Sequence, residues 1–194
     1  MRFLLRLSNN RGFNPTDAKK LSSLCYDTVR KLGVDVGNLR VSSTAVELDL
    51  LMKSKSVLQK ATRELEGVLG PLLTVRELDT QAPQIESDEA IREGIELFNK
   101  ERYWESHEAL EIAWRQAVGS EKEILQGVIL LAAALVHLQK NEIKVALGVL
   151  GRALEKLRRH QGEHFGIDIA GLTAHVAKMH ANGRIEFFKI QTLQ

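Results

Sequence analysis

A single cysteine, Cys25, stands in 194 residues. No disulfide can close within the chain, so its cores must hold it unaided, and a reducing, cytoplasmic setting is the expectation. Prolines number three, which leaves long stretches open to helix. Aromatic residues make up only 5%, and the candidate strands offer Phe3 alone. A sheet that stacks bases needs two or three aromatics, so nucleic acid is not expected as a partner. Long hydrophobic runs are also missing. The longest uncharged one, "GVILLAAALV" at Gly127–Val136, is about half the ~20 residues that cross a bilayer. The initial "FLLRL" is too short and too charged for a signal peptide. No membrane association is expected. Charge of one sign is scarce too, with a formal net of +2, spread as a slight basic excess before position 80 and a slight acidic excess after it.

What is present falls into two rhythms. Over residues 1–79 the apolar spacing alternates between a period of two and one near 3.6. "RFLLRLS" reads as a strand, and "TDAKKLSSLCYDTVRKLG" as an amphipathic helix capped by Thr16 and stopped by Gly33. "NLRVSS" and "AVELDLLM" read as strands, the second with Val46, Leu48 and Leu50 inward and Glu47 and Asp49 outward. "SVLQKATRELEGVLG" is a helix ended by Gly70-Pro71, and "LLTVREL" a last strand. This predicts a ferredoxin-like βαββαβ domain, one antiparallel sheet with two helices on one face.

Residues 80–87 are polar, contain Pro83 and lack apolar periodicity, so they read as a linker. From there the rhythm is helical only, at about 88–99, 102–117, 121–140 and 142–160, with Ser87 as the first cap. Connections this short force neighbouring helices antiparallel. A further helix, Ile169–Ala181 with Asp168 as cap, and an extended or docked tail "RIEFFKIQTL" complete a helical-bundle domain over 88–194. The expected class is therefore α+β.

The chemistry concentrates in "YWESHEALEIAW", residues 103–114. On a helix, Tyr103, His107, Leu110 and Trp114 fall within about 60° of arc, which predicts a buried stripe containing His107. Glu111 lies one turn later, within reach of His107 and beside Trp104. Glu108 and Arg115 are further round that flank, and Glu105 is expected on the opposite side. Gln126 and His137 interrupt the apolar helix at 121–140, about 16 Å apart along its axis, and either could face the pair. A carboxylate beside a buried histidine fixes the tautomer and raises basicity, which suits acid–base work. With Glu108 or His137 added, it becomes at most a weak site for a divalent metal, and no tightly bound metal or other cofactor is expected. The competing reading is that His107 and Glu111 only satisfy each other within a core.

Two apparent zinc-protease patterns fail. "HQGEH" at His160–His164 contains Gly162 and follows a helix end, and His107-Glu108 meets Glu111 where a second histidine is required. Residues 97–114 and 137–154 align without gaps at an offset of 40, each a helix end, a turn and a new helix. A repeat adaptor would show this pattern, but two hairpins fall short of a solenoid.

"ELFNKERYWESHEALEIAWRQA", followed by "LQGVILLAAALVHLQKNEIKVALGVLGRALEKL", resembles the family catalogued as domain of unknown function 309. Its pattern is matched by Phe98, Tyr103, Trp104, Glu105, His107, Glu108, Leu110, Glu111, Trp114, Gln126, Gly127, Ala132, Ala133, His137 and Leu138, over roughly residues 88–160. The resemblance implies an all-helical fold and a polar cluster at these positions, and no activity. Three classes of function stay open. A module binding a small ligand or peptide in the helical cleft comes first, using Trp104, Glu108, Trp114, Arg115, Gln126 and His137. An enzyme with His107 and Glu111 as its acid–base pair follows closely. A nucleic-acid-associated protein is third.

Overall fold

Strand β1 (Arg2–Ser8) turns Phe3, Leu5 and Leu7 to one side, because pleating sends successive side chains to opposite faces. In this computed structural model, which describes residues 1–79 and 85–192, β1 pairs antiparallel with β3 (Ala45–Met52) and with β4 (Leu72–Glu77). β2 (Val34–Val41) pairs antiparallel with β3, and the sheet order is β2-β3-β1-β4. Helix α1 (Ala18–Val29) follows β1 and α2 (Leu58–Leu69) follows β3, so the βαββαβ order and the α+β class stand. Leu21, Cys25 and Val29 of α1 and Ala61, Leu65 and Leu69 of α2 close the core over Leu5, Leu48 and Leu50. Phe3 is 1% exposed within it.

Details differ from the expectation in two places. The turn Pro15–Asp17 leads into α1, and its cap is Asn14 rather than Thr16. Asn14 Oδ1 accepts the Thr16 N–H at 3.1 Å, and Asp17 accepts the Asn14 N–H at 3.0 Å. Asn14 sits in extended backbone, where its side chain can reach forward, and Thr16 is already inside the turn. Gly33, at φ 69°, does stop the helical segment.

The second difference concerns Glu47 and Asp49, which lie on the far face of the sheet but are not free in solvent, being 2% and 1% exposed. The register puts Arg6 of β1 and Arg40 of β2 on either side of Glu47. A charge ladder results: Arg6 Nε lies 3.3 Å and Arg40 Nε 3.6 Å from Glu47, while Arg2 and Arg40 reach Asp49 at 2.6 and 2.9 Å. Cross-strand neighbours of opposite sign attract, which binary patterning into apolar and polar residues does not register.

Cys25 is fully buried in α1, and burial pushes its thiol up to about 12. The thiolate is the reactive form. Native protein should therefore leave Cys25 unlabelled by Ellman's reagent at pH 8 over minutes, and 6 M guanidinium should release one equivalent at once. Fast labelling of the native chain would show that α1 opens readily.

The chain divides into two compact units, Met1–Pro83 with Gln139–Asn141, and Gln84–Leu138 with Glu142–Gln194. Residues 80–84 of the expected linker lie outside the described residues. Ser87 is not the cap of the first helix of the bundle. It begins α3 (Ser87–Asn99), with Glu86 before it in extended backbone and Asp88 and Glu89 in the first turn, where the helix dipole favours acid. α4 (Tyr103–Gln116), α5 (Gly119–Gln139) and α6 (Ile143–Leu157) follow. Glu101 at φ 59° and Asn141 at φ 61° make the same turn forty residues apart. The Arg102 N–H reaches Leu97 O and the Glu142 N–H reaches His137 O, each at 2.9 Å.

Two glycines set how closely the helices approach. A Cβ on Gly94 would lie 2.5 Å from Leu110, and one on Gly127 would lie 2.7 Å from Leu157. Beyond α6, "HQGEHFG" forms a small hairpin that sequence reading missed, β5 (Glu163–His164) with β6 (Ile167–Asp168). Phe165 and Gly166, at φ 56° and 73°, form its tight left-handed turn. Asp168 then caps α7 (Ile169–Ala181) by accepting the Gly171 N–H at 3.1 Å. Among the described residues, no helix is long and apolar enough to cross a membrane.

Candidate functional site

The motif helix α4 buries a different stripe from the one its aromatic spacing suggests. Its inner face is Tyr103, Ser106, Leu110 and Ala113, flanked by Ala109 and Glu105. His107 and Trp114, expected inside, are half-buried on the flank. The cause lies across the interface on α3. Gly94 has no side chain, Leu110 packs over it, and Ser106 Oγ donates to Gly94 O at 2.7 Å. So close an approach favours small side chains at positions 106, 109 and 113 and leaves His107 and Trp114 on the flank. The legible signal was the small residues at positions 106, 109 and 113, which advertise a tight helix contact.

Glu105, expected on the exposed side, is 7% exposed, and Arg102 grips it with Nε at 2.6 Å and a terminal nitrogen at 2.7 Å. A fork-to-fork pair of this kind is among the stronger charge-assisted contacts.

The His107–Glu111 pair does not form. The His107 ring lies parallel to Trp104, centroids 6.1 Å apart and planes within 4°. Among the described residues, neither ring nitrogen has a hydrogen bond or an ion pair. Glu111 instead meets the exposed Arg115 one turn later at 3.6 Å. Arg115 brings a full guanidinium charge at i+4, a spacing at which opposite charges on a helix attract.

Trp114 carries Lys122 Nζ 4.7 Å from its ring centroid, a cation over the π face. Its indole Nε1 is buried without an acceptor among the described groups. Glu108 shares the half-buried flank with His107 and Glu111.

Gln126 and His137 of α5 do not complete the cluster. His137 Nδ1 is bound to Glu142 at 2.5 Å, inside the α5–α6 turn. Gln126, half-buried, makes no hydrogen bond to α4 among the described residues. His160, from the rejected zinc pattern, faces Glu123 at 3.2 Å. Among the described residues, no three His, Cys, Asp or Glu side chains converge as metal ligands would.

Tyr103 is fully buried, and burial drives its phenol well above the ordinary tyrosine range, with the Glu101 charge adding to the effect. It stays neutral. Its hydroxyl finds no partner among the described groups, and its ring packs edge-on to Phe98 at 5.0 Å and 75°.

The arrangement is thus a stacked imidazole and indole with carboxylates beside them on one helix flank, not an assembled acid–base dyad. Residues 91–149 match the family model described as a domain of unknown function, DUF309. A conserved hypothetical protein from Thermus thermophilus, solved by crystallography, is 34% identical over 46% of this chain and 94% of that one, with a TM-score of 0.41. No protein of curated function matches the chain. The matched residues run from α3 into α6 and include the whole motif from Phe98 to Leu138, while strands β1–β4 and helices α1 and α2 lie outside them. Within the helical unit, then, the chain carries a segment, residues 91–149, that matches the DUF309 family model.

Proposed function

We propose that the helical unit is a binding module for a small ligand or peptide, and that the α4 flank bearing Trp104, His107, Glu108 and Glu111 is its recognition face. The observation that carries this reading is the state of His107. Its ring is set parallel to Trp104, yet no described protein group engages either nitrogen. The ring is half-buried and its nitrogens are open to solvent, where a ligand can meet them. The flat surface suits an apolar or aromatic body. The neighbouring carboxylates favour a ligand bearing N–H donors or positive charge. The Glu111–Arg115 bridge is half-exposed, so it can open at a cost well under ~1 kcal/mol.

Acid–base catalysis is the alternative, and it requires Glu111 to leave Arg115 for His107. No resident cofactor is part of either proposal.

The test is a fragment screen by NMR using small aromatic amines and guanidines. Hits are expected to shift the Trp104 indole and His107 ring signals and to lose at least ~10-fold in affinity in His107→Ala, about 1.4 kcal/mol. Hits that leave α4 untouched would sink the reading. Urea unfolding adds a check that no ligand is needed for: His107→Ala and Glu111→Ala should each cost within ~1 kcal/mol and add in the double variant, since nothing couples them. Larger losses that fail to add would make the pair structural.

A further inference from the structure

We propose that the groove formed by α3, α4 and α7, which holds residues 184–192 of the chain itself, is a site for an extended peptide carrying an aromatic pair and an aliphatic residue two positions further on. The chain's own tail is then a competing occupant. This goes beyond the α4 flank and involves different residues.

The groove recognises the tail by its main chain. Asn99, at the end of α3, donates from Nδ2 to Ile190 O at 3.0 Å and accepts the Ile190 N–H on Oδ1 at 2.8 Å, across 91 positions of sequence. A carboxamide that engages both backbone groups of one residue reads an extended chain whatever its sequence. Two residues on, Thr192 forms an antiparallel bridge to Ile167 of β6. Strand addition to an exposed edge, with pockets for selected side chains, is a recurring way of binding peptides.

The side-chain pockets belong to the body of the unit. Phe98 and Tyr103, both outside the tail, pack on each other. Phe188 enters edge-on against Phe98 at 5.3 Å and against His175 at 5.0 Å, and Phe187 lies 5.9 Å from Tyr103. Ile190 is 2% exposed, while Glu186, Lys189 and Gln191 face outward. The recognised pattern is therefore Phe-Phe-x-Ile.

The tail is also an incomplete fit. Beside Phe188, a space of about 450 Å³ stays open between Ile167, Leu172, His175 and Lys189. A bulkier occupant would bury apolar surface that the tail leaves to solvent in this cleft. Residues 184–191 adopt no helix or strand of their own, so releasing them breaks few hydrogen bonds. What holds the segment is the burial of Ile190 and the packing of Phe187 and Phe188, which local opening must break.

Hydrogen exchange on the intact chain tests the first half. The Ile190 amide should exchange at least ~100-fold faster than the Leu131 amide of α5, because it opens locally. Equal rates would make the tail part of the core and overturn the proposal. The second half uses a fluorescein-labelled peptide of residues 184–192 as the probe. Wild-type protein should bind it weakly, since the tethered tail competes at roughly millimolar effective concentration. The full-length double variant Phe188→Ala/Ile190→Ala, whose own tail is weakened, should bind it at least ~10-fold more tightly, and adding Asn99→Ala should remove that gain. Equal binding by the wild type and the tail variant, or binding indifferent to Asn99→Ala, would refute the site. If the tail variant fails to fold, the wild-type exchange rates and the effect of Asn99→Ala on them decide.

Discussion

Phe98→Ala is expected to destabilise the helical unit by about 3–5 kcal/mol, the usual cost of emptying an aromatic site in a core that cannot collapse. Phe98 is fully buried and touches two other rings, Tyr103 at 5.0 Å and Phe188 at 5.3 Å. Tyr103 is anchored on α4, so its ring cannot shift far to refill the space. The loss should include the edge-on attraction as well as buried area, since such pairs contribute ~0.5–1.5 kcal/mol beyond their area. Both tryptophans of the chain, Trp104 and Trp114, lie on α4, so their fluorescence in urea reports this unit without a contribution from the sheet. A midpoint shift worth less than ~1 kcal/mol would mean that the aromatic cluster is loosely packed.

In the sheet unit, Asp49→Ala should be comparably costly, at about 3–5 kcal/mol, because it strands Arg40, itself 2% exposed, without its closest carboxylate. Arg2 and Asn38 would lose their contacts to Asp49 as well. Burial by itself pushes the Asp49 carboxyl upward. The Arg40 charge and hydrogen bonds from Arg2, Arg40 and Asn38 outweigh it, and the folded value lies below the ordinary 3.8. The direction fixes the pH window. A carboxyl depressed by folding contributes its stabilisation above the unfolded value, and this is lost as pH falls below about 4 toward the folded value. Wild-type protein should therefore lose sheet-unit stability on acidification below pH 4, and Asp49→Asn should show a flatter acid limb from a lower starting point. Far-UV circular dichroism against urea from pH 2.5 to 7 measures both. Parallel acid limbs in wild type and variant would remove Asp49 from the acid response.

The element order was legible because two periodicities alternate cleanly over residues 1–79. Phe3, Leu5 and Leu7 step by two, as do Val46, Leu48 and Leu50, and all six lie in the core. Gly33 and Asp168 terminate or start helices as their backbone chemistry requires. The motif of α4 was legible as a helix, and its kinship was carried by the identities of its residues. Its orientation was not. Tyr103 and Leu110 fit two candidate stripes about 60° apart, one completed by His107 and Trp114 and the other by Ser106 and Ala113.

The order of strands and helices, the caps and the helical rhythm of the second unit follow from local rules, which act over a turn of helix or a pair of strand residues and so are written in consecutive sequence. Tertiary structure decided the rest. It chose the buried face of α4 through Gly94, surrounded Glu47 and Asp49 with arginines from neighbouring strands, and closed Asn99 on Ile190. In each case the deciding partner is supplied by a different strand, helix or tail, and the energy of the contact exists only once the chain has brought the two together.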